Sequence, residues 1–208
     1  MSYLVDNDIA IKLAQTDLLQ EACSMFGLTA ANTLRLAGLR FVGPRKIGKK
    51  KLADRIGARI SQRIVRFCDQ YPPIEEPGDP KILEQLASPK IDAGEALLLT
   101  RAVVDPAAVL LTGDKRCIIA LATDPKLMPV AKQLLARVEL VETVFLRLID
   151  RLGFDVVQKR VLSAVPVDGM LDLAFLTQES DPEAHARAAL ISAEAQIAEL
   201  MPGLVRGR

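Results

Sequence analysis

Twice in this chain a short apolar run ends on an aspartate and turns straight into a helical pattern. Tyr3-Leu4-Val5 runs into Asp6, and the stretch "AVLLTGD" carries a second run into Asp114. Apolar, β-permissive runs without polar alternation are what strands buried on both faces look like, and a helix after each strand is the connection that parallel strands need. The chain is therefore read as α/β with a mostly parallel sheet, whose strands include residues 2–5 and 109–112. Ligands in open α/β sheets bind beyond the carboxyl ends of the strands, so both aspartates stand where such folds build sites.

The remaining pattern is mostly helical. Ile9, Ile11, Leu13 and Leu18-Leu19 mark one or two helices from about Asp8, with Asp17 a candidate N-cap for the second and Gly27 its stop. A further helical piece is expected over residues 29–37, and residues 39–44 read equally as strand or loop. From 47 to 71, Leu52, Ile56, Ile60, Ile64 and Phe67 form one stripe beside Arg55, Arg59 and Arg63, which predicts a long amphipathic helix. "YPPIEEPGDP" breaks the chain at 71–80, residues 80–87 suggest a short helix, and Asp92 can cap the helix that contains "AGEALLLTRAV". With 208 residues, the chain divides into a domain over 1–125 and a helical extension over 126–208.

Half the residues are hydrophobic but only 4% are aromatic and none is Trp, so the core must be built from Leu, Ala, Val and Ile. Cys23, Cys68 and Cys117 are odd in number, widely separated and free of CxxC spacing, which suggests neither a disulfide framework nor a zinc site and points to a reducing, cytoplasmic setting. No apolar run approaches the roughly 18 residues of a membrane span, so a membrane partner is not expected.

The net charge of +1 hides a basic island: Arg45, Lys46, Lys49, Lys50, Lys51, Arg55, Arg59, Arg63 and Arg66 stand against Asp54 alone. Arginines spaced by four beside an apolar stripe are commonly the solvated face of a helix. So dense an excess also suits contact with a nucleic-acid backbone, for which Lys49, Lys50, Arg55, Arg59 and Arg63 are the candidates. No aromatic is interleaved, so base stacking there is not expected.

Asp6-Asn7-Asp8 has a plain reading as a helix cap worth about 1 kcal/mol. Glu95, on the first turn of the helix capped by Asp92, and Asp114, at a strand end, have equally plain ones. Their joint order weighs the other way, because a parallel sheet can bring Asp6, Glu95 and Asp114 to one edge. Carboxylates gathered in one crevice raise each other's pKa unless a cation is present, and hard oxygens suit Mg²⁺ or Mn²⁺.

Taken in order, "LVDNDIAIKLAQTDLL", "IDAGEALLLTRA" and "AVLLTGDKRCIIALA" resemble the PIN-domain nucleases, in the variety whose middle motif reads D-x-G-E-A. The resemblance covers about the first 125 residues. It implies a PIN-like three-layer α/β/α fold, followed here by the C-terminal helical extension, and metal-dependent hydrolysis of RNA phosphodiester bonds. Asp6, Glu95 and Asp114 would be the catalytic and metal-holding acids, Thr112 a supporting hydroxyl, and Asp8 would stand where that family usually has Asn or Ser. The family places another acid on a middle helix, where this chain is basic, so Asp8 and Asp92 are the candidates for a further ligand. The implied cofactor is Mg²⁺ or Mn²⁺. The implied partners are RNA, a protein inhibitor if the chain is the toxin of a toxin–antitoxin pair, and a second copy if it forms a homodimer. No histidine is needed, in keeping with the sole one, His185, lying in the C-terminal region.

Two rival readings stand beside this one. A catalytically weak PIN-like module that binds RNA or protein accounts for the incomplete acid set and the long extension. A haloacid-dehalogenase-like phosphatase would use Asp6 as nucleophile and Asp8 as general acid, but needs another acid shortly after Asp114, where Arg116, Cys117, Ile118 and Ile119 supply none.

Overall fold

A computed structural model describes residues 1–41, 46–47, 50–76, 78–164 and 166–207. Four strands form one all-parallel sheet: β1 (Ser2–Val5), β2 (Thr33–Arg35), β5 (Ala108–Thr112) and β6 (Val138–Leu140), in the order β2-β1-β5-β6. Two-residue strands β3 (Lys46–Ile47) and β4 (Lys50–Lys51) pair separately as an antiparallel hairpin. In the main sheet Leu4 lies opposite Leu34 on one side and Leu110 on the other, and Leu110 opposite Val138.

The pleat sends alternate residues into two cores, which is why the strands read as continuous apolar runs. Tyr3, Val5, Val109 and Leu111 face a core completed by α1 (Asn7–Gln15), α2 (Leu19–Phe26), α3 (Leu52–Gln70), α8 (Val141–Leu152), α9 (Phe154–Leu162), α10 (Gly169–Phe175) and part of α11 (Pro182–Leu200). Leu4, Ala108, Leu110, Val138 and Leu140 face another built on α5 (Ala93–Val104), α6 (Lys115–Thr123) and α7 (Met128–Gln133), with α4 (Pro80–Gln85) at its margin. Helices thus cover both sheet faces.

Both sheet edges are covered. Outside β2, Arg35 N–H donates to Pro72 O at 3.2 Å and Arg35 O accepts from Ile74 N–H at 2.8 Å. The Arg35 side chain, 4% exposed, donates to the carbonyls of Leu36, Cys68 and Tyr71, satisfying the end of α3 where helix carbonyls lack partners. Outside β6, Arg206 N–H donates to Val138 O at 2.8 Å and Leu204 is fully buried. Covered edges offer no free strand for unwanted pairing.

Three expectations change. Residues 33–35 are strand rather than helix, because Thr33 and Arg35 side chains are buried beside β1 and pairing outweighs local preference. Residues 126–208 are not all helical: β6 extends the sheet, and α8 to α11 contribute Phe145, Phe175 and Leu190 to the same core as Tyr3 and Val5. The long basic helix begins later than expected and is broken at Gly57, whose φ of 80° is left-handed and easily adopted only without a side chain. Among smaller points, residues 37–41 form a 3₁₀ turn, and Asp17 caps nothing, since Leu18 holds that place.

Candidate active site

The sheet order reverses direction between β1 and β5. From β1 the chain steps outward to β2, then crosses back over β1 to continue through β5 and β6. The helices leaving β1 and β5 depart on opposite faces, α1 into one core and α6 into the other, which opens a crevice at the strands' carboxyl ends. Asp6 follows β1 and Asp114 follows β5 at this point.

Asp6 has N-cap backbone geometry (φ −72°, ψ 150°), yet its side chain caps nothing. Its carboxylate is instead buried, 6% exposed, and accepts a 3.0 Å hydrogen bond from the Thr112 hydroxyl. That hydroxyl also accepts from Asp114 N–H at 3.1 Å, so Thr112 bridges the two strand ends. Burial pushes the Asp6 carboxyl up to about 6, against the lowering effect of Thr112, with Asp8 and Asp114 adding repulsion. An exposed helix cap would be driven the other way.

Asp114 does act as a cap. Its Oδ1 accepts from the backbone N–H groups of Arg116 and Cys117 at 2.8 and 3.3 Å, and its Oδ2 meets the Arg116 guanidinium at 2.8 Å. Glu95 and Asp92 form a reciprocal capping box on α5, with Glu95 N–H on Asp92 Oδ1 at 2.8 Å and Asp92 N–H on Glu95 Oε2 at 2.7 Å. Glu95 also contacts Asp114: burial and the neighbouring Asp92 and Asp114 push its carboxyl up to about 7. Asp114 goes down, the effect of burial being outweighed by Arg116, the helix N–H groups and Glu95. Beneath these acids the buried Cys117 thiol is pushed up by burial and then by Glu95, Asp114, Asp6 and Asp92, which makes it a packing residue rather than a nucleophile.

Two clefts flank Arg116. One, of about 540 Å³, is lined by Lys90, Asp92 and Glu95 among others. The second, of about 310 Å³, holds Asp8, Lys12, Asp114, Lys115, Glu142 and Asp168. Here Lys12 Nζ lies 2.6 Å from both Asp8 Oδ2 and Asp168 Oδ2, and Lys115 Nζ lies 2.6 Å from Glu142 Oε1. Burial alone would lower Lys12, but Asp8 and Asp168 outweigh it and the ammonium is held above its usual value. Gly113 passes so close that a Cβ there would strike the Asp8 carboxylate.

The acids that sequence reasoning missed are Glu142 and Asp168. Glu142, only 1% exposed, starts the helix after β6, so "VELVET" is a third strand–helix junction bearing an acid. The signal was present but lay inside a stretch whose three- and four-residue spacing also fits a helix. Asp168 arrives from the distant loop before α10, and nothing local marks it.

Carboxylates, hard oxygens of the kind that suit a divalent ion, outnumber cations around the crevice, and Asp6 is a buried acid that makes no side-chain cap on α1, although the Asn7 N–H beside it lowers its carboxyl. No group of three or more potential ligands closes on one point among the described residues, and Asp114 and Glu95 are engaged with backbone N–H groups.

The basic candidates separate. Lys49 lies outside the described residues, as do the side chains of Lys50 and Arg55. Arg59 is exposed on α3. Arg63 turns inward, its Nε 2.8 Å from Asp17 Oδ1 and its Nη1 donating to Ala14 O at 2.8 Å. His185 sits on α11, its ring 3.3 Å from Leu173 O. No helix among the described residues is long and apolar enough to cross a membrane. No protein-family model, no curated protein and no solved structure matches the chain.

Proposed function

We propose that this chain is a divalent-metal-dependent phosphodiesterase with a PIN-like fold, acting on RNA in the cytoplasm. One observation carries the reading: Asp6 is buried at the sheet's switch point, returns no cap to its helix, and is repelled by Asp8 and Asp114. A carboxyl kept in that place at such cost is a functional group in want of a cation. Asp6, Glu95 and Asp114 would hold Mg²⁺ or Mn²⁺, which when bound polarises the scissile phosphate and lowers the pKa of the attacking water. The chain's own part is positional. Thr112 holds Asp6 by its hydroxyl, the capping box orients Glu95, and Arg116, 88% exposed at its side chain, can swing from Asp114 to an incoming phosphate. Arg59 and the basic stretch before it supply contact with the RNA backbone. The chain would then suit the toxin of a toxin–antitoxin pair, with a protein inhibitor covering the crevice.

A second reading has its own support. Both oxygens of Asp114 are occupied by helix N–H groups and Arg116, and Glu95 is tied to Asp92, as in a module that binds RNA or protein without cleaving. The phosphatase alternative has less, since Asp8, its general acid, is paired with Lys12. Incubation of mixed RNAs with Mn²⁺ separates these. The nuclease reading expects cleavage that EDTA, Asp6→Asn and Asp114→Asn each abolish; RNA binding without cleavage supports the module, and hydrolysis of an aryl phosphate alone supports the phosphatase.

A further inference from the structure

Another cleft, of about 460 Å³, opens between α2 and α3, and no acid of the candidate active site lines it. Its size is that of a small-molecule site. The floor is apolar: Leu19, Leu28 and Phe67 meet there with the buried Tyr71 and Cys23, whose hydroxyl and thiol are hydrogen-bonded to each other. Burial pushes the Cys23 thiol up to about 11 despite that bond, so the floor stays neutral and carries no nucleophile. Behind it, Leu19, Cys23, Leu28 and Phe67 also border a small apolar void in the core, which leaves them room to settle against a flat ring.

The rim is polar and held in place by groups around it. Asp17 sits in the left-handed region at φ 58°, its carboxylate 2.8 Å from Arg63 Nε and its carbonyl accepting from Arg160. After α2, Asn32 pins the loop, its amide donating to Gly27 O at 3.0 Å and its Oδ1 accepting from Thr29 N–H at 2.7 Å. Little ordering is left for a ligand to impose. Arg63 is engaged with Asp17 and Ala14, whereas Arg66 is exposed and makes no ion pair among the described residues. Gln20 and Gln70 add two carboxamides, each offering donors and an acceptor.

These groups discriminate among anions. An aliphatic carboxylate would cover the floor and leave the amides idle, and a bare phosphate would reach Arg66 and leave the floor empty. A nucleotide uses all three, since its base has flat faces and a hydrogen-bonding edge and its sugar carries a phosphate. We propose that the α2–α3 cleft binds a nucleoside monophosphate unit, the base on the apolar floor with its edge toward Gln20 or Gln70 and the phosphate on Arg66. The unit is a free nucleotide or an unpaired nucleotide of an RNA strand, which share this chemistry. Exposed Arg59, two turns before Arg66 on α3, lies where the backbone of a strand would continue. Neither the crevice acids nor a metal ion takes part, so the inference stands apart from the cleavage reading.

Calorimetric titration of the full chain in EDTA, with AMP, GMP, CMP and UMP, their nucleosides and a short single-stranded RNA, tests it. A mononucleotide should bind about tenfold more tightly than its own nucleoside, the size of a charge-assisted hydrogen bond. Arg66→Ala should remove that preference, and Ser24→Trp, which sets a ring from the exposed rim into the cleft, should weaken nucleotide binding by about tenfold or more. A mononucleotide that binds at least as tightly as the RNA makes the free nucleotide the occupant; RNA that binds more tightly, and loses that affinity in Ser24→Trp, makes it a strand. Failure of every nucleotide and of the RNA to bind overturns the proposal, as does binding that folded Ser24→Trp leaves unchanged, or decanoate bound in place of the nucleotides. If Ser24→Trp does not fold, Arg66→Ala decides: an unchanged preference for nucleotide over nucleoside overturns the proposal. Nucleotide binding in EDTA without any Mn²⁺-dependent cleavage keeps the cleft and defeats the nuclease instead.

Discussion

Replacing Asp6 by Asn separates a strained functional acid from a helix cap. In the folded protein the Asp6 carboxyl titrates at about 6, against 3.8 ordinarily. At 1.36 kcal/mol per pH unit the difference is worth about 3 kcal/mol. Because the folded value is the higher, the native state holds the proton more tightly than the unfolded chain. Ionised Asp6 therefore costs nothing well below pH 3.8, costs more as pH rises from 3.8 to about 6, and costs the full amount above that. Asn has no charge to desolvate and keeps an oxygen for the Thr112 hydroxyl. Asp6→Asn should then be more stable than wild type by up to about 3 kcal/mol at about pH 8, or about 6–12 °C in Tm for a chain of this size. The gain should shrink toward zero on acidification. Urea or thermal denaturation with EDTA present, at steps between about pH 4 and pH 8, measures it. Adding Mn²⁺ should raise wild-type stability and leave Asp6→Asn unmoved, since only a group that binds the native state's ligand shifts the equilibrium. A cap behaves otherwise: Asn would be nearly silent across that pH range, while Ala would cost about 0.5–2 kcal/mol. Asp6→Asn less stable than wild type at about pH 8, or a difference that ignores pH, refutes the reasoning.

Arg59→Ala should weaken RNA binding equally for unrelated sequences and reduce the slope of log affinity against log salt by about 0.7, whereas Arg63→Ala, which cuts the tie to Asp17 and Ala14, should lower Tm; filter binding across a salt series and melting curves tell them apart. Gly113→Ala forces a methyl against Asp8 and should cost about 1–3 kcal/mol by denaturation, with displacement of Asp8 from Lys12. Arg35→Met strands the carbonyls of Leu36, Cys68 and Tyr71 in the interior and should cost about 3 kcal/mol or more, seen first as loss of amide protection at the end of α3.

Some of the architecture was legible because its causes are local. The strand at Ser2–Val5 is flanked by nothing that continues its pattern, and the apolar, β-rich run before Asp114 has no helical spacing. Gly27 and Gly153 stop α2 and α8 with positive φ, which is a property of the residue itself. Asp92 with Glu95 three positions on is a capping box written in four residues. Residues 33–35 and Val138–Leu140 were not legible, since three-residue strands are specified by the neighbour they pair with and carry too little periodicity to outweigh helical surroundings.

The same division runs through the site. Residue order alone placed Asp6 and Asp114 at strand ends, because a buried strand must surface and an acid there marks where it does. Whether each acid is a cap or something else is a matter of which way its carboxylate turns, and for Asp6 that was settled by a group remote in the chain. Thr112, 106 residues away, draws Asp6 inward, while the N–H groups of α6 keep Asp114 as a cap. Asp8 and Lys12 are an i,i+4 pair written in the sequence of α1, but Lys12 against Asp168, and Glu142 against Lys115, are products of tertiary packing: long-range electrostatic partners leave no periodic trace in a sequence, since burial and proximity are properties of the folded chain.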